Sequence, residues 1–201
     1  RVVTVHFHAA GGNGTITQSV ERYDHEGRVV FASYPQRTLD PAIINTWADP
    51  ATFPNALGTH TEYDALGRVT SVSQDSEQGL LVTLTAYLPG FQTRVTDPKG
   101  NQTTTSYRTY DQPRTGWPVL IAHPEGAYTE ITRDSFDMPT AITRRNASGS
   151  TQVVRRYPYG TLRRLALAVE PETGTTVFGY DGADNLTASA TGLPTPSGSL
   201  D

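Results

Sequence analysis

Apolar and polar residues alternate with a period of two along much of this chain, and the alternating runs stop at clusters of Gly, Pro, Asp and Asn. In residues 2 to 9, Val3, Val5 and Phe7 fall on one face of an extended segment and Thr4, His6 and His8 on the other, which is the pattern of a pleated strand. Gly11-Gly12-Asn13-Gly14 follows and accepts the positive φ of a tight reversal, so residues 15 to 23 are predicted to return as the second strand of a hairpin. The clearest unit is TEYDALGRVTSV, residues 61 to 72. Tyr63 and Asp64 close one strand, Asp64-Ala65-Leu66-Gly67 reverses the chain, and residues 68 to 72 run back. Asp at the first position of the turn accepts hydrogen bonds from the backbone ahead of it, and Gly at the fourth takes the left-handed conformation that returns the next strand in register. With 18 glycines and 14 prolines spread through 201 residues, little room is left for an uninterrupted helix.

The unit recurs. Tyr23-Asp24-His25-Glu26-Gly27-Arg28-Val29 keeps Tyr, Asp, Gly, Arg and Val at the offsets of Tyr63, Asp64, Gly67, Arg68 and Val69. Looser copies are Tyr87 with Arg94-Val95, Tyr110-Asp111, Phe136-Asp137, Tyr159-Gly160 and Tyr180-Asp181, the last with Asp184 and Asn185 near its turn. From Tyr23 these aromatics are separated by 40, 24, 23, 26, 23 and 21 residues, a spacing that signals a repeat architecture, with 40 counting as two units. A second turn type is read between them: Asp97-Pro98-Lys99-Gly100, His123-Pro124-Glu125-Gly126 and Pro171-Glu172-Thr173-Gly174. Two turns per period leave strands of roughly 6 to 8 residues. The predicted fold is all-β: tandem antiparallel hairpins forming one twisted, curved sheet over residues 1–190, with a Pro/Gly/Ser-rich tail or linker at 191–201.

A tyrosine-aspartate motif of the form YDxxGR, followed by an alternating strand and repeated at 20-odd residues, resembles the YD repeats of the Rhs family, which includes bacterial Rhs proteins, insecticidal toxin-complex subunits and the teneurins. The resemblance rests on residues 23–29 and 63–69 and extends in spacing to Leu186. It implies a β-strip that spirals into a hollow shell, and in the bacterial members a shell that encloses a C-terminal toxin. It therefore implies a bacterial, secreted or cell-surface protein of the kind used in interbacterial competition, with toxin cargo as a partner beside the neighbouring repeats. The self-cleavage segment of payload-releasing members, rich in Asp, Gly, Asn and Pro, has no counterpart here. With Arg1 first and its single Met at 138, the chain is expected to be a piece of a longer polypeptide.

Composition adjusts this picture in few places. A hydrophobic content of 36% is low for a filled globule and suits a sheet with one wet face. Zero Cys excludes disulfides and thiolate metal sites. A net charge of −4 argues against a nucleic-acid partner, and no apolar run approaches the ~18 residues that a membrane span needs.

Candidate chemistry is sparse. Residues 33–58 carry Pro35, Pro41, Pro50 and Pro54 and break the repeat. They read as an insertion or degenerate repeat, with one or two helical turns after Asp40-Pro41 and Trp47 as the anchor. Trp47 either covers a sheet face or contacts a ligand, and the alternative function is a cell-surface module that binds carbohydrate, a glycan, or a protein receptor. His6 and His8 share a strand face but lack a third metal ligand at a telling spacing. Seven arginines lie between Arg133 and Arg164, including Arg144-Arg145, Arg155-Arg156 and Arg163-Arg164. Strand neighbours point to opposite faces, so each pair places one guanidinium per face and reads as a ladder pairing with acids. No hydrolase, metalloprotease, P-loop or dinucleotide motif appears. Asp24, Asp64, Asp111, Asp137 and Asp181 share a place in the unit, so turn capping accounts for all five. The expectation is a non-catalytic scaffold without cofactor or metal.

Overall fold

The computed structural model describes residues 3–10, 15–38, 57–109 and 115–194. Sixteen strands and no helix lie among them, and the paired ladders are antiparallel throughout. The fold is the all-β hairpin array that alternation and turn chemistry predict.

The chain forms two compact units, Arg1–Ala86 with Val95–Asn101, and Tyr87–Arg94 with Gln102–Asp201. The first unit runs through β1 (Val3–Ala10), β2 (Thr15–Tyr23), β3 (Val29–Ser33), β4 (Gln36–Thr38), β5 (Gly58–Tyr63), β6 (Val69–Ser76) and most of β7 (Gly79–Leu88). Strands β1, β2, β3, β5, β6 and β7 are neighbours in that order, and β4 pairs with β2. The β1–β2 ladder runs from Val3 opposite Arg22 to Ala10 opposite Thr15. Strand β2 has the bounds read from alternation.

Residues 39–56, with Trp47, lie outside the described residues, but both stems of the insertion are clear. The Tyr34 N–H donates to the Leu57 carbonyl at 2.8 Å. Asp75 on β6 binds both stems: Tyr34 Oη donates to its carbonyl at 2.8 Å, and the Gly58 N–H donates to its Oδ2 at 3.0 Å. Gly58 is required there by space, since a Cβ would stand 2.2 Å from the Ala32 carbonyl oxygen. Among the described residues the buried apolar positions of this unit are Val20 and Phe31. The Arg22 guanidinium lies over the Phe31 ring, 4.9 Å from its centroid, and the His60 ring packs against it at 4.7 Å.

In the second unit, residues 92–94 of β8 (Gln92–Thr96) are followed by β9 (Gln102–Tyr107), β10 (Pro118–Ala122), β11 (Tyr128–Arg133), β12 (Pro139–Arg145), β13 (Gln152–Arg156), β14 (Leu167–Glu170), β15 (Gly174–Tyr180) and β16 (Leu186–Leu193). From β9 to β16 each strand pairs with the next in the chain. Strand β10 pairs with β9 on one side and β11 on the other. Val169 and Thr175 are the buried residues here; most other strand positions are half-exposed. Arg144-Arg145 on β12 and Arg155-Arg156 on β13 divide as strand geometry requires, whereas Arg163-Arg164 lies in the turn before β14 and not on a strand. Arg145 binds Glu130 at 2.6 Å, Arg144 lies 3.5 Å from Glu125, and Arg155 pairs with Glu172.

Candidate functional site: the repeated turns

The chemistry-bearing residues among those described gather in the turns, and four of these, at Asp24, Asp64, Asp97 and Asp181, share one geometry. At Asp24 the backbone N–H donates to the Arg28 carbonyl at 2.9 Å and the Gly27 N–H donates to the Asp24 carbonyl at 3.3 Å. Asp24 Oδ1 accepts the N–H groups of Glu26 and Arg28, both at 2.9 Å, and Oδ2 accepts Arg28 Nε at 2.7 Å. This is a type I turn closed by a left-handed fourth residue, which leaves the aspartate to satisfy donors that the hairpin itself cannot. Asp64 repeats it bond for bond with Gly67, Leu66 and Arg68. Asp97 repeats it with Gly100, Lys99 and Asn101, whose amide replaces the arginine on Oδ2 at 2.8 Å. Asp181 does so with Asp184, Ala183 and Asn185.

These bonds favour the carboxylate form. The pKa of Asp64 is held below the ordinary value by the Arg68 backbone N–H and guanidinium. At Asp97 and Asp181 the side-chain amides of Asn101 and Asn185 lower it first. At Asp24 lost hydration raises it, but the Arg28 backbone and side-chain bonds together prevail.

Three placements differ from the sequence reading. The turn with Pro98 is not a second type, because Asp97 and Gly100 do what Asp24 and Gly27 do; His123 and Gly126 share the backbone pattern. Gly174 departs from it, with its positive φ one residue beyond the 170–173 turn bond. In the copy led by Phe136 the cap is Asp134, whose Oδ1 accepts the N–H groups of Phe136 and Met138, each at 2.9 Å. Asp137 stands at the fourth position with φ 65°, so Phe136 is the turn tip and not the residue before the cap. Tyr87 lies within β7 and no capping aspartate follows it. Tyr110 and Asp111 lie outside the described residues, and the His6 and His8 side chains are likewise not described.

The residue before each cap, here numbered zero, pairs across the hairpin with the sixth residue of the turn: Tyr23 with Val29, Tyr63 with Val69, Arg133 with Pro139, Tyr159 with Leu165 and Tyr180 with Leu186. From that position its side chain reaches back one repeat. In the first unit Tyr63 Oη donates to the Val29 carbonyl at 2.9 Å, while Arg28 lies over the Tyr63 ring at 4.7 Å. In the second unit Tyr159 Oη donates to the Pro139 carbonyl at 3.2 Å and Tyr180 Oη to the Leu165 carbonyl at 3.1 Å. All three acceptors are sixth residues of the preceding turn. Arg133 takes the tyrosine's place in its repeat and reaches the Pro118 carbonyl with Nε at 3.3 Å. Further ties run between turns of the second unit. Arg108 Nη1 donates to the Asp134 carbonyl at 2.6 Å and pairs with Asp137 at 2.8 Å. Arg164 Nη1 donates to the Asp181 carbonyl at 2.9 Å and to Asp184 at 3.0 Å. The repeat tyrosine thus couples one hairpin to the next.

Sequence reasoning missed Asp134, Arg133, Arg108 and the carbonyl acceptors. Asp134 carried a signal, an Asp three residues before another Asp, as at Asp181 and Asp184. The carbonyls carried none, because their place depends on strand register. Among the described residues no group of three or more His, Asp or Glu is arranged to hold a metal ion.

No protein-family model matches the chain, and no curated protein matches it. Solved structures do. A chain of the Photorhabdus luminescens Tc holotoxin pore with a mutated TccC3 is 16% identical, with a TM-score of 0.50 over 86% of this chain and 8% of that chain. A chain of the TcdB2-TccC3-Cdc42 crystal structure is 15% identical, with a TM-score of 0.38 over 88% of this chain and 12% of that chain. The present chain thus spans only a small part of the length of either. It has the fold of a segment of the holotoxin chain, and its resemblance to the YD-repeat proteins holds at the level of the fold.

Proposed function

We propose that the chain is a non-catalytic wall segment of an Rhs-like shell, made by a bacterium for action outside the cell, that encloses or presents a toxin or effector domain. The observation that carries this reading is the turn-to-turn coupling. Tyr63, Tyr159 and Tyr180 are each anchored on the preceding hairpin, whereas Tyr23 donates to Glu21 on its own strand, while the buried apolar residues among those described number three, Val20, Phe31 and Val169. A fold whose repeats hold their neighbours, with little central core, is built to extend rather than to form a pocket. Turn carboxylates engaged by backbone donors are unavailable for acid–base chemistry, which supports a structural role. The fold likeness to a holotoxin chain supports the toxin context. No helix among the described residues is long and apolar enough to cross a membrane.

Electron microscopy of the polypeptide that contains this chain, combined with limited proteolysis, tests the reading. A closed density with residues 15–194 in its wall and a protease-protected domain inside is the expected result. An array projecting as a free arm, or saturable binding on a glycan array that Trp47→Ala abolishes, would replace the wall with recognition.

A further inference from the structure

The two rims of the second unit differ in chemistry. The third turn position is Phe136 between β11 and β12, Leu162 between β13 and β14, and Ala183 between β15 and β16. At the opposite rim the corresponding residues are Glu125, Ser148 and Glu172. Phe136 and Leu162 are 54% and 66% exposed, although a polar residue would serve either tip equally well. Between them lies Arg163, at the fourth position with φ 59°, where five sibling turns use glycine. A left-handed arginine is strained, and strain retained at an exposed tip points to a use. Its guanidinium covers the Phe136 ring, 3.3 Å from the centroid. Asp137 and Asp184, the other non-glycine residues at this position, each form an ion pair with an arginine. Arg163 forms none among the described residues. The result is an apolar ridge with one positive charge that forms no ion pair among the described residues, and arginine is a residue type enriched at interface hot spots.

The first unit carries the complement. At the β6–β7 turn Glu77 is exposed and forms no ion pair among the described residues. Leu80 beside it is 57% exposed. We propose that the ridge of Phe136, Leu162 and Arg163 docks on the β6–β7 tip of a second copy of the chain, with Arg163 paired to Glu77 and Leu80 against Phe136 and Leu162. Because the two patches differ, the contact is head-to-tail and joins each copy to the next. It does not rest on the cargo reading, since it requires only two copies of the folded chain.

Sedimentation velocity of the whole chain across a concentration series tests it. The unmodified chain associates progressively. Arg163→Gly, which places glycine where sibling turns already have it, keeps the melting temperature and weakens association about tenfold. Arg163→Glu and Glu77→Arg each stay dissociated alone, and an equimolar mixture of the two associates, because each interface then joins opposite charges. A chain that remains monomeric at its highest soluble concentration overturns the proposal. So do single variants that associate like the parent, or a mixture no more associated than its components.

Discussion

Replacing Tyr63 by Phe and by Ala separates the two ways in which this residue ties its hairpin to the preceding one. The Phe variant deletes only the hydroxyl that donates to the Val29 carbonyl at 2.9 Å. One such bond contributes about 1 kcal/mol net, and the half-buried Val29 carbonyl is partly rehydrated when it is lost. The Ala variant also deletes a half-buried ring that supports the Arg28 guanidinium. Full truncation of a core aromatic costs about 3–5 kcal/mol, so the partial burial here places Tyr63→Ala at about 2–3 kcal/mol. Urea unfolding followed by far-UV circular dichroism should give an ordered series, wild type above Phe above Ala, with unchanged slope. Tyr180→Phe, which loses the bond to the Leu165 carbonyl, should reproduce the smaller step in the second unit. If Tyr63→Ala shifts stability by less than about 0.5 kcal/mol, as a surface substitution does, then coupling through the tyrosine is not what holds the repeats together.

Glycine substitutions test the turn and the close approach separately. Gly27→Ala and Gly67→Ala should each cost about 1–2 kcal/mol in thermal unfolding, because both residues have positive φ. A Cβ at Gly67 meets only the Arg28 guanidinium at 3.3 Å and one at Gly27 meets nothing, so a marked excess at Gly67 would show that crowding rather than strain sets the cost. Gly58→Ala should cost about 3 kcal/mol although its φ is unexceptional, since the Cβ would meet the Ala32 backbone, which cannot move aside; a melting temperature within error of wild type would refute the packing. Lowered carboxyl pKa values at Asp24, Asp64, Asp97 and Asp181 mean that the unfolded chain binds these protons more readily than the folded one. Their stabilisation is therefore present above the unfolded value of about 3.9 and is lost as pH falls through the lower folded values. Denaturant midpoints should decline below about pH 4, and replacing these four residues with Asn should flatten that decline.

How much of this was legible in the sequence depended on how local the cause was. An aspartate four residues before its arginine partner specifies a turn from neighbouring atoms alone, so the hairpins at Asp24 and Asp64 could be read directly. Phe136-Asp137 misled because the dipeptide imitates Tyr-Asp, while the bonds follow the spacing of Asp134 and Asp137. The Pro98 turn looked distinct because proline presets φ at the second position, yet the fourth residue and the aspartate decide the geometry. The partners of the tyrosine hydroxyls were illegible. A hydroxyl that reaches a carbonyl 20 or 34 residues away does so through the register of intervening strands, and no periodicity states which carbonyl that is. The insertion stems show the same limit, since Asp75 has no feature in the sequence that connects it with Tyr34 and Gly58.

The left-handed position shows how the repeats diverge without losing their form. Glycine there costs nothing sterically but offers no side chain. In the second unit three turns with the 1-to-4 backbone bond give up that freedom, and the left-handed residue of each makes a contact beyond its own turn: Asp137 with Arg108, Arg163 with Phe136 and Asp184 with Arg164. Local strain of about 1–2 kcal/mol, less for aspartate, is set against coupling to the neighbouring repeat. For a domain that stands alone such an exchange would gain little. For an array whose stability is a sum of repeat and interface terms, moving free energy from the turn to the contact between turns makes the repeats open and close together. That property is what a continuous wall needs, and it explains why the tyrosine-aspartate motif can decay along the chain while the hairpins persist.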